Sequence, residues 1–322
     1  MLIFLWSALF IISLILLVKS ADWFIESSEK IARRLKISPF IIGVTIVAFG
    51  TSLPELATSL IAVFQNKSEI VVADVIGSNI TNILLVVGLS AIFARGLLIK
   101  RNIIDLDLPL LLYTSVIFSF VILDKNVNFF EAIILLLTFF VYLFYTIKNK
   151  KEKDDQGEDK ILTANEKIWQ KKEKINLPTV LYFFAGIVGL IIGAKYTIES
   201  IIQLSQLLNI ATSFLAISVV ALGTSLPELF VSVSAALKKK YEIAVGNALG
   251  SNIFNSLFVV GVPALFKDLV VDDLTIIIGF PFFAVATLIF IISGISRRIN
   301  FWEGIMFIII YGVFIIKLFT IF

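Results

Sequence analysis

The sequence predicts an all-α membrane protein of ten transmembrane helices, arranged as two inverted five-helix repeats with broken helices at the membrane midplane. Three observations support this prediction. Hydrophobic residues make up 59% of the chain, and the mean hydropathy is +1.01. Apolar runs of about 20 residues, the length of a membrane span, recur along it. One polar block, GTSLPEL, occupies residues 50–56 and occurs again at residues 223–229.

Ten apolar segments of span length follow one another. We place them at residues 2–20, 38–64, 70–94, 103–123, 128–147, 178–198, 210–237, 242–266, 273–293 and 301–321. The first is interpreted as a span and not as a cleaved signal, because no basic residue precedes its apolar run. The chain therefore divides into a first repeat (1–148), a polar linker of mixed charge (149–177) and a second repeat (178–322).

Lysine and arginine are distributed unevenly between the predicted loops. The loops after odd-numbered spans hold 21 of these residues, whereas the loops after even-numbered spans hold 4 when Lys195, near the end of the sixth span, is counted with them. Positively charged loops stay in the cytoplasm. We therefore expect a multi-pass protein of the plasma membrane, with a cytoplasmic linker and both termini outside.

The two halves match without gaps at an offset of 173, which carries residue 50 to residue 223. A second block, GSNI, lies at residues 77–80 and again at 250–253. An odd number of spans in each repeat inverts the second copy, and inverted repeats place their ion site where the two copies meet.

Each GTSLPEL block sets a proline beside a glutamate inside an apolar run. A charge at the bilayer centre costs about 3 kcal/mol or more, and such residues are usually functional. Pro54 and Pro227 each remove a backbone donor. We therefore expect each helix to break at its proline and to free carbonyl oxygens at membrane depth.

Polar side chains in these spans are candidate cation ligands. They are Thr51, Ser52, Glu55, Ser78 and Asn82 in the first half, and Thr224, Ser225, Glu228, Ser251 and Asn255 in the second. Together with the freed carbonyls they form an all-oxygen set. Ca²⁺ prefers six to eight such ligands, whereas Mg²⁺ dehydrates reluctantly, so calcium is the favoured cation.

Composition excludes several other classes of function. The chain has no Cys and no His, so thiolate and imidazole metal sites are absent, and no nucleophile–base pair is evident. We predict that the protein is not an enzyme. The net charge of +3 is too small to indicate a nucleic-acid partner. The expected partners are cations and the lipid bilayer, and no cofactor is expected.

The paired blocks resemble the two alpha-repeats of the sodium/calcium exchangers, in the cation/calcium antiporter superfamily. The resemblance covers residues 44–88 and 217–261, and the ten-span layout fits it. It implies an antiporter that exchanges calcium for sodium by alternating access, and that extrudes calcium. It also implies that Glu55 and Glu228 are shared by both ions, that the neighbouring hydroxyls are ligands, and that Ala48 and Ala221 lend carbonyls to flanking sodium sites.

The coupling ion stays open at this point. Many sodium-coupled members of the resembled family carry Asp where this chain has Asn255, and proton-coupled members often carry amides there and at the position of Asn82. A calcium/proton antiporter of the same fold is therefore the alternative. A calcium channel is less favoured, because channels gather ligands in oligomeric rings. Here one chain completes the cage, so we expect a monomeric transport unit.

Asp74 lies four residues before Ser78, near the helix face that carries Ser78 and Asn82. Its counterpart in the second half is Asn247, the residue more usual at this place in the resembled family. Two interpretations are open. Asp74 is either an acid that solvent reaches near the extracellular end of its span, or an entrance carboxylate that concentrates cations.

Overall fold

The computed structural model describes residues 2–35, 39–99, 107–155, 176–207 and 223–319, and most of these residues are helical. Six of their helices are long and apolar enough to cross a membrane, and a bent pair adds a seventh. Three shorter apolar helices, Leu108–Ile122, Leu177–Gly193 and Leu226–Leu237, accompany them. The prediction of a helical membrane protein is confirmed, and the number of ten spans stays a prediction.

The first half begins with a long helix and continues with a broken one. Its elements are α1 (Leu2–Leu35), α2 (Pro39–Ile42), a π-helical turn π1 (Gly43–Val47), α3 (Ala48–Thr51), α4 (Leu53–Phe64), α5 (Glu69–Ile80), π2 (Thr81–Val87), α6 (Gly88–Phe93), β1 (Leu97–Leu98), α7 (Leu108–Ile122), β2 (Asn126–Val127) and α8 (Phe129–Asp155).

The second half has the same order of elements where it is described. They are α9 (Leu177–Leu207), α10 (Leu226–Leu237), α11 (Tyr241–Phe254), π3 (Asn255–Val259), α12 (Val260–Ala264), β3 (Leu269–Val270), π4 (Thr275–Gly279), α13 (Phe280–Ile295), β4 (Arg298–Ile299) and α14 (Phe301–Phe319).

Three helices are longer than the sequence predicted. The first was expected to end at residue 20 but runs to Leu35, and the sixth was expected to end at residue 198 but runs to Leu207. The fifth runs to Asp155, so the first residues of the predicted linker are helical. Hydropathy marks only the apolar part of a helix, and these helices continue through polar residues. Linker residues 156–175 and span residues 210–222 lie outside the described residues.

The second span breaks at a serine and not at the proline that predicted the break. Ser52 leaves the helical conformation (φ −91°, ψ 10°), and the helices on either side of it meet at a bend of 48°. Ser225 adopts nearly the same angles (φ −86°, ψ 4°) before α10. Each proline falls in the first turn of the following helix, where its missing N–H leaves no hydrogen bond unmade.

Two of the π-helical turns contain the amides that were predicted as ligands. Asn82 is the second residue of π2, and Asn255 is the first residue of π3. A π turn inserts one extra residue into a helix and often marks a functional site. Sequence periodicity predicts a regular helix at both places, so these turns were missed.

Four two-residue strands join loops that are far apart in sequence. β1 pairs antiparallel with β4, with Leu97 opposite Ile299. β2 pairs antiparallel with β3, with Asn126 opposite Val270. These two small sheets connect the ends of helices from the first half to the ends of helices from the second half.

The core lies around the two helices that carry the GSNI blocks. In an 18-residue stretch of the span from Glu69 to Phe93, 83% of the residues are buried, and the share is 94% in the span from Tyr241 to Ala264. In the span from Phe301 to Leu318 it is only 22%. Gly250 lies at a close approach of two backbones, because a Cβ added there would meet the carbonyl oxygen of Val44 and would lie 2.7 Å from its Cα. The small residue thus lets α11 contact the broken helix directly.

We expect Gly250→Ala to lower thermal stability in detergent by about 1–3 kcal/mol, because the added methyl group overlaps backbone atoms that have no room to move. The matched control is Gly312→Ala, since a Cβ added there meets nothing within 4 Å. Both changes add the same helix propensity. Equal melting temperatures for the two variants would contradict the proposed close approach.

Candidate functional site

The two GTSLPEL glutamates occupy equivalent places after the two serine breaks. Glu55 lies in the first turn of α4 and Glu228 in the first turn of α10. Both side chains are fully buried, at 0% exposure. The N-terminus of a helix carries partial positive charge, which favours an anionic side chain there. Each of the two helices that follow a serine break thus carries a fully buried glutamate in its first turn.

The carboxylate of Glu228 receives hydrogen bonds from both halves of the chain. The hydroxyl of Ser52, from the first break, donates to Oε1 at 2.7 Å. The hydroxyl of Ser251, from α11, donates to the same oxygen at 3.5 Å. The two halves therefore meet at this acid.

Several oxygens at the breaks have no hydrogen-bond partner among the described residues. They are both carboxylate oxygens of Glu55, Oε2 of Glu228 and the hydroxyl of Ser225. A buried polar group without a partner costs about 1–3 kcal/mol, and a charged one costs more. Buried oxygens without protein donors are suited to a cation, whose charge would replace the missing hydrogen bonds.

The two predicted amide ligands are also buried without hydrogen-bond partners in the described structure. Asn82 and Asn255 are fully buried, and neither amide has a hydrogen-bond partner at its oxygen or its nitrogen in the described part of the chain. Both lie in π turns, where the helix backbone is already irregular. Their carbonyl oxygens are available to a cation.

The remaining hydroxyls connect the two halves. Ser78 Oγ lies 3.3 Å from Thr224 Oγ1, and the hydroxyl of Thr51 donates to Oδ1 of Asn247 at 3.2 Å. The predicted flanking carbonyl of Ala48 accepts the N–H of Ser52 at 3.0 Å. Ala221, the other predicted carbonyl, lies outside the described residues.

Asp74 is buried, with 8% of its surface exposed. The interpretation that solvent reaches this acid is therefore wrong. Its position was judged from its distance to the span end, whereas the packing of α5 in the core decides its exposure. Its side chain is hydrogen-bonded to Thr224. Among the described residues, no three acidic side chains group around one point that could hold a metal ion.

A set of polar contacts beside the glutamates was not predicted from the sequence. The amide of Asn79 donates to the hydroxyl of Ser256 at 2.7 Å and to the carbonyl of Asn252 at 3.4 Å. The amide of Asn252 donates back to the carbonyl of Asn79 at 3.3 Å. The signal was present, because both asparagines belong to the repeated GSNI block. These contacts join α5 to α11 and π3 next to the candidate ligands.

The candidate site is a set of buried carboxylate, hydroxyl and amide oxygens from both breaks, both GSNI blocks and the two π turns, which we call the chamber. Hard cations such as Ca²⁺ and Na⁺ prefer ligands of this kind. Its parts come from both halves of one chain, so neither half alone could complete it.

Comparisons with known proteins agree with the resemblance carried by the repeated blocks. The profile of the sodium/calcium exchanger protein family matches residues 5–148 and 178–320. The chain is 31% identical over 345 residues to the sodium/calcium exchanger MaX1 of Methanosarcina acetivorans, covering 97% of each protein. It is also 33% identical over 313 residues to an uncharacterised membrane protein of Methanocaldococcus jannaschii, covering 96% of each.

The fold is likewise similar to that of a solved structure. The structure of the sodium-calcium exchanger NCX_Mj, soaked with zero Na⁺ and Ca²⁺, superposes with a TM-score of 0.81 at 30% identity. The match covers 98% of this chain and 99% of that one.

We expect Ser52→Ala to lower the unfolding free energy in buffer without Na⁺ and Ca²⁺ by about 1–3 kcal/mol, because it removes the shortest hydrogen bond to a buried carboxylate. Thermal unfolding in detergent measures the change. Ser119→Ala is the control, since the Ser119 hydroxyl bonds only the carbonyl of Ser115 in the described structure. A loss no larger than that of the control would show that the contact between the two halves is weak.

Proposed function

Because the chain belongs to the sodium/calcium exchanger family, we propose that it exchanges Ca²⁺ for Na⁺ at the chamber around Glu55 and Glu228, with one site loaded in turn by either ion. The observation that carries the proposal is the pair of fully buried glutamates with three unpartnered carboxylate oxygens among the described residues. A carboxylate charge is stable away from water only where a bound cation or a proton compensates it, and membership of an exchanger family favours the cation.

We assign the ligands from their places around the two acids. Glu55 and Glu228 are the central ligands of both ions. The hydroxyls of both breaks and of the GSNI blocks, together with the two amides, complete the oxygen shell; these residues are Thr51, Ser52, Ser78, Asn82, Thr224, Ser225, Ser251 and Asn255. The carbonyls of Ala48 and Ala221 are assigned to flanking sodium sites.

Symmetry in the contacts supports the proposal of two inverted repeats. Asn79 and Asn252, which are 173 residues apart, donate to each other's carbonyls. The strand pairs obey the same rule: a shift of 173 turns the pair Leu97–Ile299 into Val270–Asn126. Reciprocal contacts of this kind arise when two copies of one motif face each other across a twofold axis. We propose ten spans in two such repeats.

Contacts between loops support the proposed orientation. Lys238, between α10 and α11, pairs with Asp22 of α1 at 2.7 Å, and the nearby Lys240 pairs with Glu29 of α1 at 2.9 Å. Lys267, after α12, bonds Asn66, after α4, at 2.7 Å. In a ten-span chain, each of these contacts joins parts that lie on the same side of the membrane. We propose that the side rich in Lys and Arg is the cytoplasm, in the plasma membrane.

Alternating access requires one part of the protein to move against another. The long helices α1 and α9 pack along each other, with the Phe24 and Phe183 rings 5.2 Å apart. The Phe24 ring also packs on Gly50, where an added Cβ would lie 2.7 Å from it. We propose that α1 and α9 slide as a pair. This sliding would move the Phe24 ring relative to Gly50 and so change how far the break at Ser52 is shielded. One chain supplies all these parts, so we propose a monomeric transport unit.

The sodium gradient is large enough for calcium extrusion. At a tenfold gradient each Na⁺ contributes about 1.4 kcal/mol, and one net charge crossing 100 mV contributes about 2.3 kcal/mol. Exchange of three Na⁺ for one Ca²⁺ therefore provides about 6.5 kcal/mol, which lowers cytoplasmic Ca²⁺ by more than about four decades. We propose extrusion as the direction of transport.

Calcium uptake into everted vesicles tests the exchange and its coupling ion. We expect uptake when a sodium gradient is imposed and none with a proton gradient alone. Uptake that follows protons and ignores sodium would replace this proposal with a calcium/proton antiporter, the function that the neutral amides Asn82 and Asn255 favour. Uptake that needs neither gradient would indicate a channel.

We expect Glu55→Gln and Glu228→Gln each to abolish calcium transport, because each change removes half of the central charge while keeping the shape of the side chain. Transport assays in vesicles measure the loss, and the amount of protein in the membrane shows whether insertion is intact. Full transport by either variant would exclude that glutamate as a ligand.

We expect Asn255→Asp to lower the sodium concentration needed for half-maximal exchange by about tenfold, because it replaces a neutral ligand with a charged one and so strengthens Na⁺ binding. The sodium dependence of calcium flux measures this shift. An unchanged dependence would show that Asn255 does not face the bound ions.

A further inference from the structure

Position 74 breaks the chemical symmetry of an otherwise symmetric chamber. In the second half the matching residue, Asn247, is fully satisfied. Its Oδ1 accepts the hydroxyl of Thr51 at 3.2 Å, and its Nδ2 donates to the hydroxyl of Ser232 at 2.9 Å and to the carbonyl of Glu228 at 3.4 Å. The oxygen and the nitrogen of this amide are therefore both hydrogen-bonded, and the nitrogen bonds the backbone of Glu228, a proposed central ligand.

The same surroundings occur in the first half, but the amide is replaced by an acid. A shift of 173 carries Thr51 to Thr224, and Asp74 is hydrogen-bonded to Thr224. The same shift relates Ser232 to Ser59. Oδ2 of Asp74 and the hydroxyl of Ser59 are both buried, and neither has a hydrogen-bond partner in the described part of the chain.

A carboxylate cannot do what the Asn247 amide does. Ionised Asp has acceptors only, so Oδ2 stands where a donor would be needed to bond a carbonyl. The charge also lies within range of the Glu55 carboxylate, which repels it. A third buried anion in this place requires a positive charge beside it.

We propose that Asp74 is the carboxylate ligand of a further site for a monovalent cation, Na⁺, beside Glu55. In the first half this ion occupies the position that corresponds to the N–H₂ group of Asn247 in the second half. Ser59 and the backbone carbonyl of Glu55 are its other ligands. The inference rests on the proposed function, since it adds a sodium site to the same chamber. With Asp74 the chamber holds three negative charges, which three Na⁺ neutralise.

The test uses Asp74→Asn, which installs the residue already present at the mirrored position. Purified protein is titrated with NaCl in Ca²⁺-free buffer, and thermal unfolding reports binding. We expect the Na⁺ concentration at the midpoint of stabilisation to rise about tenfold or more, because the variant loses one charged ligand. We also expect the Hill coefficient for Na⁺ to fall. The midpoint for Ca²⁺, titrated without Na⁺, changes by a smaller factor.

A matched pair of serine variants compares the roles of the equivalent serines in the two halves. Ser59→Ala removes a proposed ligand and is expected to shift the Na⁺ midpoint in the same direction as Asp74→Asn. Ser232→Ala removes the equivalent hydroxyl beside the satisfied amide and is expected to leave the midpoint within about twofold. If Asp74→Asn does not fold, this pair decides: equal midpoints for the two serine variants overturn the proposal.

The outcomes separate this inference from the proposed function. If Na⁺ stabilises the wild type and exchanges for Ca²⁺, and Asp74→Asn keeps the same midpoint and Hill coefficient, only the additional site is overturned. That result would show that Asp74 is neutral and replaces the amide by carrying a proton. If Na⁺ neither stabilises the wild type nor exchanges for Ca²⁺, the proposed function fails, and the additional site fails with it.

Discussion

Two glutamates are held at 0% exposure in a protein interior that offers few hydrogen-bond donors to them, and this desolvation of negative charge constrains the rest of the structure. An anion in such a place is tolerated only with compensation from helix N-termini, hydroxyl donors and cations. The serine breaks set two helix N-termini beside the acids. The most deeply buried spans, which carry the GSNI blocks, exclude water around them.

The two halves of the chain depend on each other at this point. The acid of the second half takes its shortest hydrogen bond from Ser52 of the first half, and Asn79 and Asn252 exchange hydrogen bonds between the halves. Neither half could satisfy its own polar groups alone. This mutual dependence gives a physical reason why a duplicated motif remains in one chain, and why a single chain forms a complete chamber.

The repeated sequence blocks nevertheless hold an asymmetric set of charges. Residues 74 and 247 lie in matching surroundings, but one is an acid and the other an amide. The two side chains differ in one group, a carboxylate oxygen against an amide N–H₂, and so in charge and in hydrogen-bond donors. In a family that exchanges a divalent cation for monovalent ones, the number of buried charges sets which ion loads balance the site. An acid at one of the two positions is therefore expected to change ion preference without altering the fold.

The sequence by itself determined the class of fold, the family and the candidate ligands, because hydropathy, the repeated blocks and intramembrane polar residues are all local properties of the chain. It also located both helix breaks to within two residues. Only the tertiary structure decided that Asp74 is buried, that Ser52 serves the acid of the opposite half, and that Asn82 and Asn255 lie in π turns. Burial, contacts between the halves and helix irregularities arise when distant segments pack together, and residue spacing along the chain carries no direct record of that packing.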